Sequence, residues 1–199
     1  MSVERQVDEA RDLVNRILAG DAKAFKSLVE QNQRLVSHIV FKMIPNETDR
    51  EDLSQDVFMR VYRNLGRFEF RSKLSTWIAR ITYNTCGNYL EKKKIPLYED
   101  LAPEQKTIDS CAGANPLPDE YTEKQEISDR LREEVDMLPI QYKTIITLYH
   151  LDEMSYTEIG GIMKLPEGTV KSYLFRARKL LKERLTAKFQ PEELWNPNT

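Results

Sequence analysis

The chain is poor in the residues that do covalent or metal chemistry, with two cysteines and two histidines among 199 residues. Cys86 and Cys111 stand at no zinc-ligand spacing and supply no disulfide framework. Cys86 is expected to pack as a small apolar side chain, and Cys111 to sit free in a loop. His38 and His150 stand alone, and neither is assigned a catalytic role. Seven glycines in the whole chain, against 31% charged residues, suggest slender helical units. No apolar run approaches the roughly 20 residues of a membrane span, and the charged start has no signal-peptide pattern, so a cytoplasmic protein is expected. Strand alternation is missing throughout, which points to an all-α fold.

The net charge of −2 looks unpromising for a nucleic-acid ligand until it is resolved along the chain. Residues 60–94 hold nine Lys/Arg against two acids, and residues 164–184 hold seven against two. Between them, residues 96–129 hold nine acids against two bases. Two basic blocks therefore flank an acidic one, and phosphate binding depends on such local clusters rather than on the total.

Helical spacing organises both ends. Val7, Ala10, Val14, Ile17 and Leu18 define a first helix, and Gly20 then Asp21 supply a stop and a new N-cap. Phe25, Leu28, Val29, Leu35, Val36, Ile39 and Val40 define a second, which breaks near Pro45. Thr48 with Glu51 reads as a capping box opening a third helix on Leu53, Val57, Val61 and Leu65, closed by Gly66. Ser75 is the expected N-cap of a fourth, which ends on Lys92, Lys93 and Lys94, where cations suit the helix C-terminus. From residue 96 to about 121 four of the nine prolines fall among scattered acids, so a linker is expected. Periodicity resumes with Ile127, Leu131, Val135 and Leu138, and Pro139 starts a helix carrying Ile145, Ile146, Leu148 and Tyr149. The expected architecture is two small helical domains joined by a flexible acidic linker.

Residues 155–182, SYTEIGGIMKLPEGTVKSYLFRARKLLK, read as helix, tight turn and helix. Ser155 and Glu158 form a capping box, and Pro166 suits a first helical turn. Val170, Leu174, Ala177 and Leu181 recur about once per turn and should face the core. Glu167, Lys171, Ser172, Phe175, Arg176 and Lys179 are left outside, on a face that fits the DNA major groove. Short polar and basic side chains there would read bases, cations further along would hold phosphates, and the free amides near Thr169 offer a phosphate site. The Gly160-Gly161 pair suggests close helix packing. The plainer alternative is a solvated basic face.

The N-terminal block differs. Residues 67–94 interleave Phe68, Phe70, Trp77, Tyr83 and Tyr89 with Arg67, Arg71, Lys73, Arg80 and the three lysines. Aromatic faces stack on unpaired bases while cations follow the backbone, a mixture suited to single-stranded DNA. Trp77 alone is better read as core, whereas Phe68 and Phe70 in a loop should contact something. The helix at 48–65 sets Asp49, Glu51, Asp52, Gln55 and Asp56 beside exposed-looking Phe58 and Met59. Asp52 and Asp56 lie one turn apart, but no histidine or third carboxylate completes a ligand set. A protein-binding face is the better functional reading.

Three stretches in order, DREDLSQDVFMRVYRNL at 49–65, FRSKLSTWIARITYN at 70–84 and LPIQYKTIITLYHLDEMSYTEIGGIMKLPEGTVKSYLFRARKLL at 138–181, resemble the bacterial extracytoplasmic-function (ECF) sigma factors. The resemblance spans nearly the whole chain. It implies a non-catalytic initiation factor without cofactor or small-molecule substrate. A region 2 domain at 1–95, a linker at 96–125, a region 4 domain at 126–190 and a tail at 191–199 would follow. Asp52, Leu53, Gln55, Asp56 and Phe58 would bind core RNA polymerase. Phe68, Phe70, Arg71, Lys73, Ser75, Thr76, Trp77, Arg80 and Asn84 would handle the opened −10 promoter strand. Glu167, Thr169, Lys171, Ser172, Tyr173, Phe175 and Arg176 would read the −35 duplex, with Arg178 and Lys179 on phosphates. The acidic linker would run toward the polymerase active centre. The family also implies an anti-sigma factor, often membrane-anchored, as a further partner. Glu69 between Phe68 and Phe70 departs from the family's small polar loop start, and Tyr173 stands where a basic residue is frequent.

Two rivals remain on the residues alone. A stand-alone helix-turn-helix regulator accounts for residues 139–185 but leaves the aromatic-basic block idle. A metal-dependent DNA-processing enzyme built on Glu51, Asp52 or Asp56 lacks a complete ligand set.

Overall fold

The computed structural model describes residues 3–97 and 123–188, with side chains for 8–97 and 130–188. Within them lie eight α-helices and no strand. They are α1 (Val3–Leu18), α2 (Ala22–Met43), α3 (Glu47–Asn64), α4 (Leu74–Lys92), α5 (Glu123–Asp136), α6 (Ile140–His150), α7 (Tyr156–Met163) and α8 (Glu167–Lys188), with a 3-10 turn at Leu65–Arg67 after α3. The expected linker and tail fall largely outside the described residues, as does Cys111.

The α1–α2 hairpin is set by its corner. Gly20 takes φ +92, which glycine adopts without steric cost, and the Asp21 amide reaches back to the Arg16 carbonyl at 3.0 Å. The Asp21 carboxylate then caps α2, accepting from the Lys23 and Ala24 amides at 2.9 and 3.1 Å, and pairs with Arg16 at 2.8 Å. Its pKa is lowered by Arg16 and by the amides.

Two start signals differ from the sequence reading. Asn46, rather than Thr48, caps α3, accepting from the Thr48 amide at 3.0 Å. Asn46 stands two residues ahead of Thr48, is the stronger capping residue, and takes the extended backbone (φ −79, ψ 121) of an N-cap. Helix α4 begins at Leu74 behind Lys73, with no side-chain cap, so Ser75 lies inside the first turn. The α7 capping box is present: the Ser155 amide donates to Glu158 Oε2 at 3.0 Å, and the Glu158 amide to Ser155 Oγ at 3.2 Å.

Helix α2 is central to the first four helices and packs against α1, α3 and α4. Val14 and Ile17, Leu28, Val36, Ile39 and Met43, Val57 and Val61, and Ile78, Cys86 and Leu90 are buried there. Each fully buried aliphatic side chain is worth ~1.5–3 kcal/mol in removed apolar surface. Burial pushes the Cys86 thiol up to about 12, so it packs rather than reacts. The last four helices bury Leu138, Ile145, Leu148, Ile159, Ile162, Met163, Val170 and Leu174. Helix α5 forms as its spacing predicts, and it turns a charged residue inward. Leu131 is exposed and Glu134 is inside, paired with Lys188 and, at 3.4 Å, with Arg184 of α8. A buried carboxylate persists only with such partners.

Gly160 and Gly161 behave differently. Lys164 ends α7 in the left-handed region (φ 58), and the turn folds back so that the Leu165 amide donates to the Gly160 carbonyl at 3.0 Å. A Cβ on Gly160 would stand 2.8 Å from the Leu165 carbonyl oxygen, whereas one on Gly161 would meet nothing within 4 Å. Close packing is thus the work of the first glycine alone.

The two groups of helices touch. Helix α2 packs against α6, and α4 against α7.

Candidate nucleic-acid interface

Helix α8 presents the face its periodicity predicts. Val170, Leu174 and Ala177 are buried and Leu181 half-buried, while Glu167, Lys171, Ser172, Phe175, Arg176, Arg178 and Lys179 are exposed. Phe175 is 69% exposed, a large apolar ring that the protein's own packing leaves in water. Tyr173 is less available: it is half-buried and sits edge-on to Tyr142 at 5.8 Å. Thr169 is half-buried in the first turn, where its amide bonds the Pro166 carbonyl at 2.9 Å.

Two cations on this face, Lys171 and Arg178, are held in place. Lys171 pairs with Glu167 at 2.7 Å, which raises the lysine pKa and, with Thr157, lowers that of the glutamate. Its ammonium also lies over the Tyr156 ring at 5.3 Å. Tyr156 stacks on Tyr149 with centroids 5.2 Å apart, and the Arg178 guanidinium covers Tyr149 at 5.1 Å. Arg178 donates to His150 Nε2 at 3.2 Å, so that nitrogen accepts, and burial together with Arg178 lowers the His150 pKa. The solitary His150 of the sequence is therefore a neutral prop for Arg178. Tyr149, Tyr156 and His150 were missed because they belong to other elements than the reading helix.

On the first group of helices, α3 and α4 enclose a groove of about 350 Å³ lined by Arg60, Asn64, Arg67, Trp77, Arg80, Ile81, Asn84, Thr85 and Asn88. Guanidinium groups and carboxamides converge in it, the first suited to phosphate and the second to base edges. Arg80 and Asn84 were expected; Arg60, Asn64 and Asn88 were not. The signal was present, since Arg60 and Asn64, and Arg80, Asn84 and Asn88, each recur at four-residue spacing on one helix face.

The loop before α4 divides its expected contacts. Phe68 is buried, with its ring 4.6 Å from Phe70 and 5.3 Å from Trp77, so these aromatics contact one another. Trp77 is core, in line with its reading as a packed residue. Phe70 is half-exposed at φ 57, an unusual conformation for a bulky residue, and carries Arg11 over its ring at 5.3 Å. Arg71, Lys73 and Arg80 are exposed, Ser75 and Asn84 half-buried, and Thr76 buried.

On α3, Asp52 and Gln55 are exposed, whereas Leu53 and Phe58 are half-buried against the core. Asp56 is committed to Arg60 at 2.8 Å. Met59 and Tyr62 are the large hydrophobic side chains of this helix that stay exposed. A mixed acidic and apolar surface of this kind suits a protein partner.

Comparison with known proteins gives this geometry a context. Residues 28–95 match the family described as Sigma-70 region 2, and residues 128–181 match Sigma-70, region 4. The chain is 32% identical over 176 residues to the ECF RNA polymerase sigma factor SigW of Bacillus subtilis, covering 86% of this chain and 94% of that protein. It is 35% identical over 173 residues to the ECF RNA polymerase sigma-E factor of Escherichia coli K12, covering 85% and 90%. Among solved structures, CnrH in complex with the cytosolic domain of CnrY superposes with a TM-score of 0.62 at 20% identity, covering 90% of this chain and 98% of that one. The sigma factor RpoE in complex with the anti-sigma factor NepR from Bartonella quintana gives 0.65 at 21% identity, covering 84% and 100%. At those identities the two structures support the all-helical fold. The matches at both ends of the chain disfavour a stand-alone helix-turn-helix regulator, which needs only the second.

Proposed function

Because the chain belongs to the ECF RNA polymerase sigma factors, which direct RNA polymerase to promoters, we propose how its residues divide that work. Residues 1–95 act as the region 2 domain. In it Asp52, Leu53, Gln55, Asp56 and Phe58, extended by Met59 and Tyr62, engage core polymerase. The α3–α4 groove and the loop through Phe70, Arg71 and Lys73 take the opened −10 strand, with Arg80 and Asn84 at the centre and Phe68 and Trp77 as the packed floor. Residues 126–190 act as the region 4 domain and lay α8 in the −35 major groove. There Lys171, Ser172, Phe175 and Arg176 face base edges, and Arg178 and Lys179 face phosphates. Residues 96–125 tether the two, and 191–199 form a tail.

One observation carries the reading. A single chain bears two separate surfaces of different chemistry, a groove lined by guanidinium and carboxamide groups, which suits unpaired bases, and an exposed helix face of basic, polar and aromatic side chains, which suits duplex. Such a factor works without catalysis of its own, by binding energy alone. An anti-sigma factor, membrane-anchored as often in the family, completes the partner set and would hold this cytoplasmic protein inactive.

The test is a variant series in reconstituted holoenzyme. Asp52→Arg should lose core association. Asn84→Ala should keep core association and lose permanganate-detected strand opening. Arg176→Ala should keep core association and weaken closed-complex formation. Identical defects from all three would refute the division of labour.

A further inference from the structure

Two exposed cations of α8 share a scaffold that lies outside their own helix. Lys171 and Arg178 stand seven residues apart, so they project from the same flank of α8 about 10 Å apart along its axis. Two tyrosines from other elements stand beside that flank. Tyr149, near the end of α6, and Tyr156, the first residue of α7, stack with centroids 5.2 Å apart and planes 11° apart. Each ring carries one cation: Arg178 lies over Tyr149 at 5.1 Å, and Lys171 over Tyr156 at 5.3 Å.

Backbone bonds fix where the rings stand. In the turn between α6 and α7 the Leu151 amide donates to the Thr147 carbonyl at 2.9 Å, and the Met154 amide to the Leu148 carbonyl at 3.0 Å. Met154 is buried, and the Ser155–Glu158 capping box then starts α7 at Tyr156. Each cation also has a second restraint. Lys171 pairs with one carboxylate oxygen of Glu167, whose other oxygen accepts from Thr157 Oγ1 at 3.2 Å. Arg178 meets His150 Nε2 through Nε at 3.2 Å and Nη2 at 3.0 Å. That uses one edge of a guanidinium that carries five N–H groups, and the opposite edge is left for a phosphate.

We propose that Tyr149, Tyr156 and His150 are positioning residues for the −35 contact, holding Lys171 and Arg178 in the geometry in which α8 meets duplex DNA. The proposal deepens the reading of α8 as the duplex-binding helix and rests on it. A long cationic side chain on a helix surface samples many rotamers, and fixing it on binding lowers affinity. Here both side chains are ordered before DNA arrives. An exposed cation–π contact is weak as a source of stability. Its consequence is where the charge stands. Affinity for the −35 duplex thus depends on side chains of α6 and α7 that act through the two cations of α8.

A double-mutant cycle tests this, read as the affinity of reconstituted holoenzyme for a promoter duplex identified by run-off transcription. Arg178→Ala should weaken binding and lower the slope of affinity against salt by about 1. Tyr149→Leu should weaken binding about two- to tenfold, the effect of freeing one long side chain. Tyr149→Phe keeps the ring face and should bind like the native chain. In an Arg178→Ala background both Tyr149→Leu and His150→Ala should have no further effect, and Tyr156→Leu should be silent in the same way beside Lys171→Ala. A Tyr149→Leu loss that persists undiminished without Arg178 would mark a merely structural role and overturn positioning. Native affinity for Tyr149→Leu, with Arg178→Ala weakened, would overturn it too. Native affinity and an unchanged salt slope for Arg178→Ala would instead remove Arg178 from the duplex contact, and its positioning by Tyr149 and His150 would fall with that assignment.

Discussion

The two adjacent glycines of α7 offer a sharp test of how the reading helix is positioned. Gly160→Ala places a methyl group 2.8 Å from the Leu165 carbonyl oxygen, a backbone atom that cannot rotate away. An ordinary contact there needs about 3.4 Å, so the Lys164–Leu165 turn must shift by roughly half an ångström, and overpacking of this kind costs ~1–3 kcal/mol. Ala gains about 1 kcal/mol over Gly in helix propensity, which leaves a net loss of ~0–2 kcal/mol. Gly161→Ala meets nothing within 4 Å and should collect the propensity gain undiminished. The two isomeric variants should therefore differ by the overpacking cost itself, about 1–3 kcal/mol, or several degrees in melting temperature at 2–4 °C per kcal/mol. Urea denaturation followed by far-UV circular dichroism measures the gap. Equal stability of the two variants would refute the claim that the turn is packed directly on Gly160.

Burial raises the Glu158 pKa, but the Ser155 amide and hydroxyl, Lys73 and Thr76 outweigh it and lower the value to about 2. A depressed carboxylate stabilises the fold above its unfolded value near 4.5 and loses that contribution as pH falls toward 2. Glu158→Gln, which keeps a capping side chain, should thus be less stable than the native chain at pH 7 and show a flatter decline between pH 4.5 and 2; parallel curves would contradict this. Lys164→Gly should stabilise by about 0.5–1 kcal/mol, because glycine accepts the left-handed cap without strain, and a loss of stability on melting would argue against that conformation. Arg176→Ala should weaken duplex binding by holoenzyme by ~1–3 kcal/mol in a band-shift titration, and unchanged affinity would remove Arg176 from the interface. Trp77→Ala, at a buried ring packed on Phe68, should cost about 3–5 kcal/mol of stability, and a cost under 1 would restore Trp77 as a free stacking surface.

Much of this protein is legible locally. The 3.6-residue period located α2, α6 and α8, and short-range chemistry located the Asp21 cap and the Ser155–Glu158 box, because each signal is contained within a few residues. Failures arose where neighbours compete or partners are remote. Asn46 and Thr48 both offer caps two residues apart, and it is Asn46 that takes the extended backbone and accepts from the Thr48 amide. Leu131 fits the apolar stripe of α5, yet Glu134 goes inside because Arg184 and Lys188, some fifty residues later, are there to meet it. The candidate site divides in the same way. The exposed face of α8 follows from its own periodicity, whereas His150 behind Arg178 and the Glu158–Lys73 contact join residues 28 and 85 positions apart. No spacing rule reports such pairs.

The central claim is that this chain confers promoter-specific initiation on RNA polymerase. Run-off transcription with purified core enzyme on genomic promoter fragments, with and without the chain, tests it most directly. Discrete transcripts that depend on the chain and disappear when the −10 or −35 sequence upstream of each start is replaced are the predicted result. A chain that neither binds core enzyme nor adds any transcript would contradict the account.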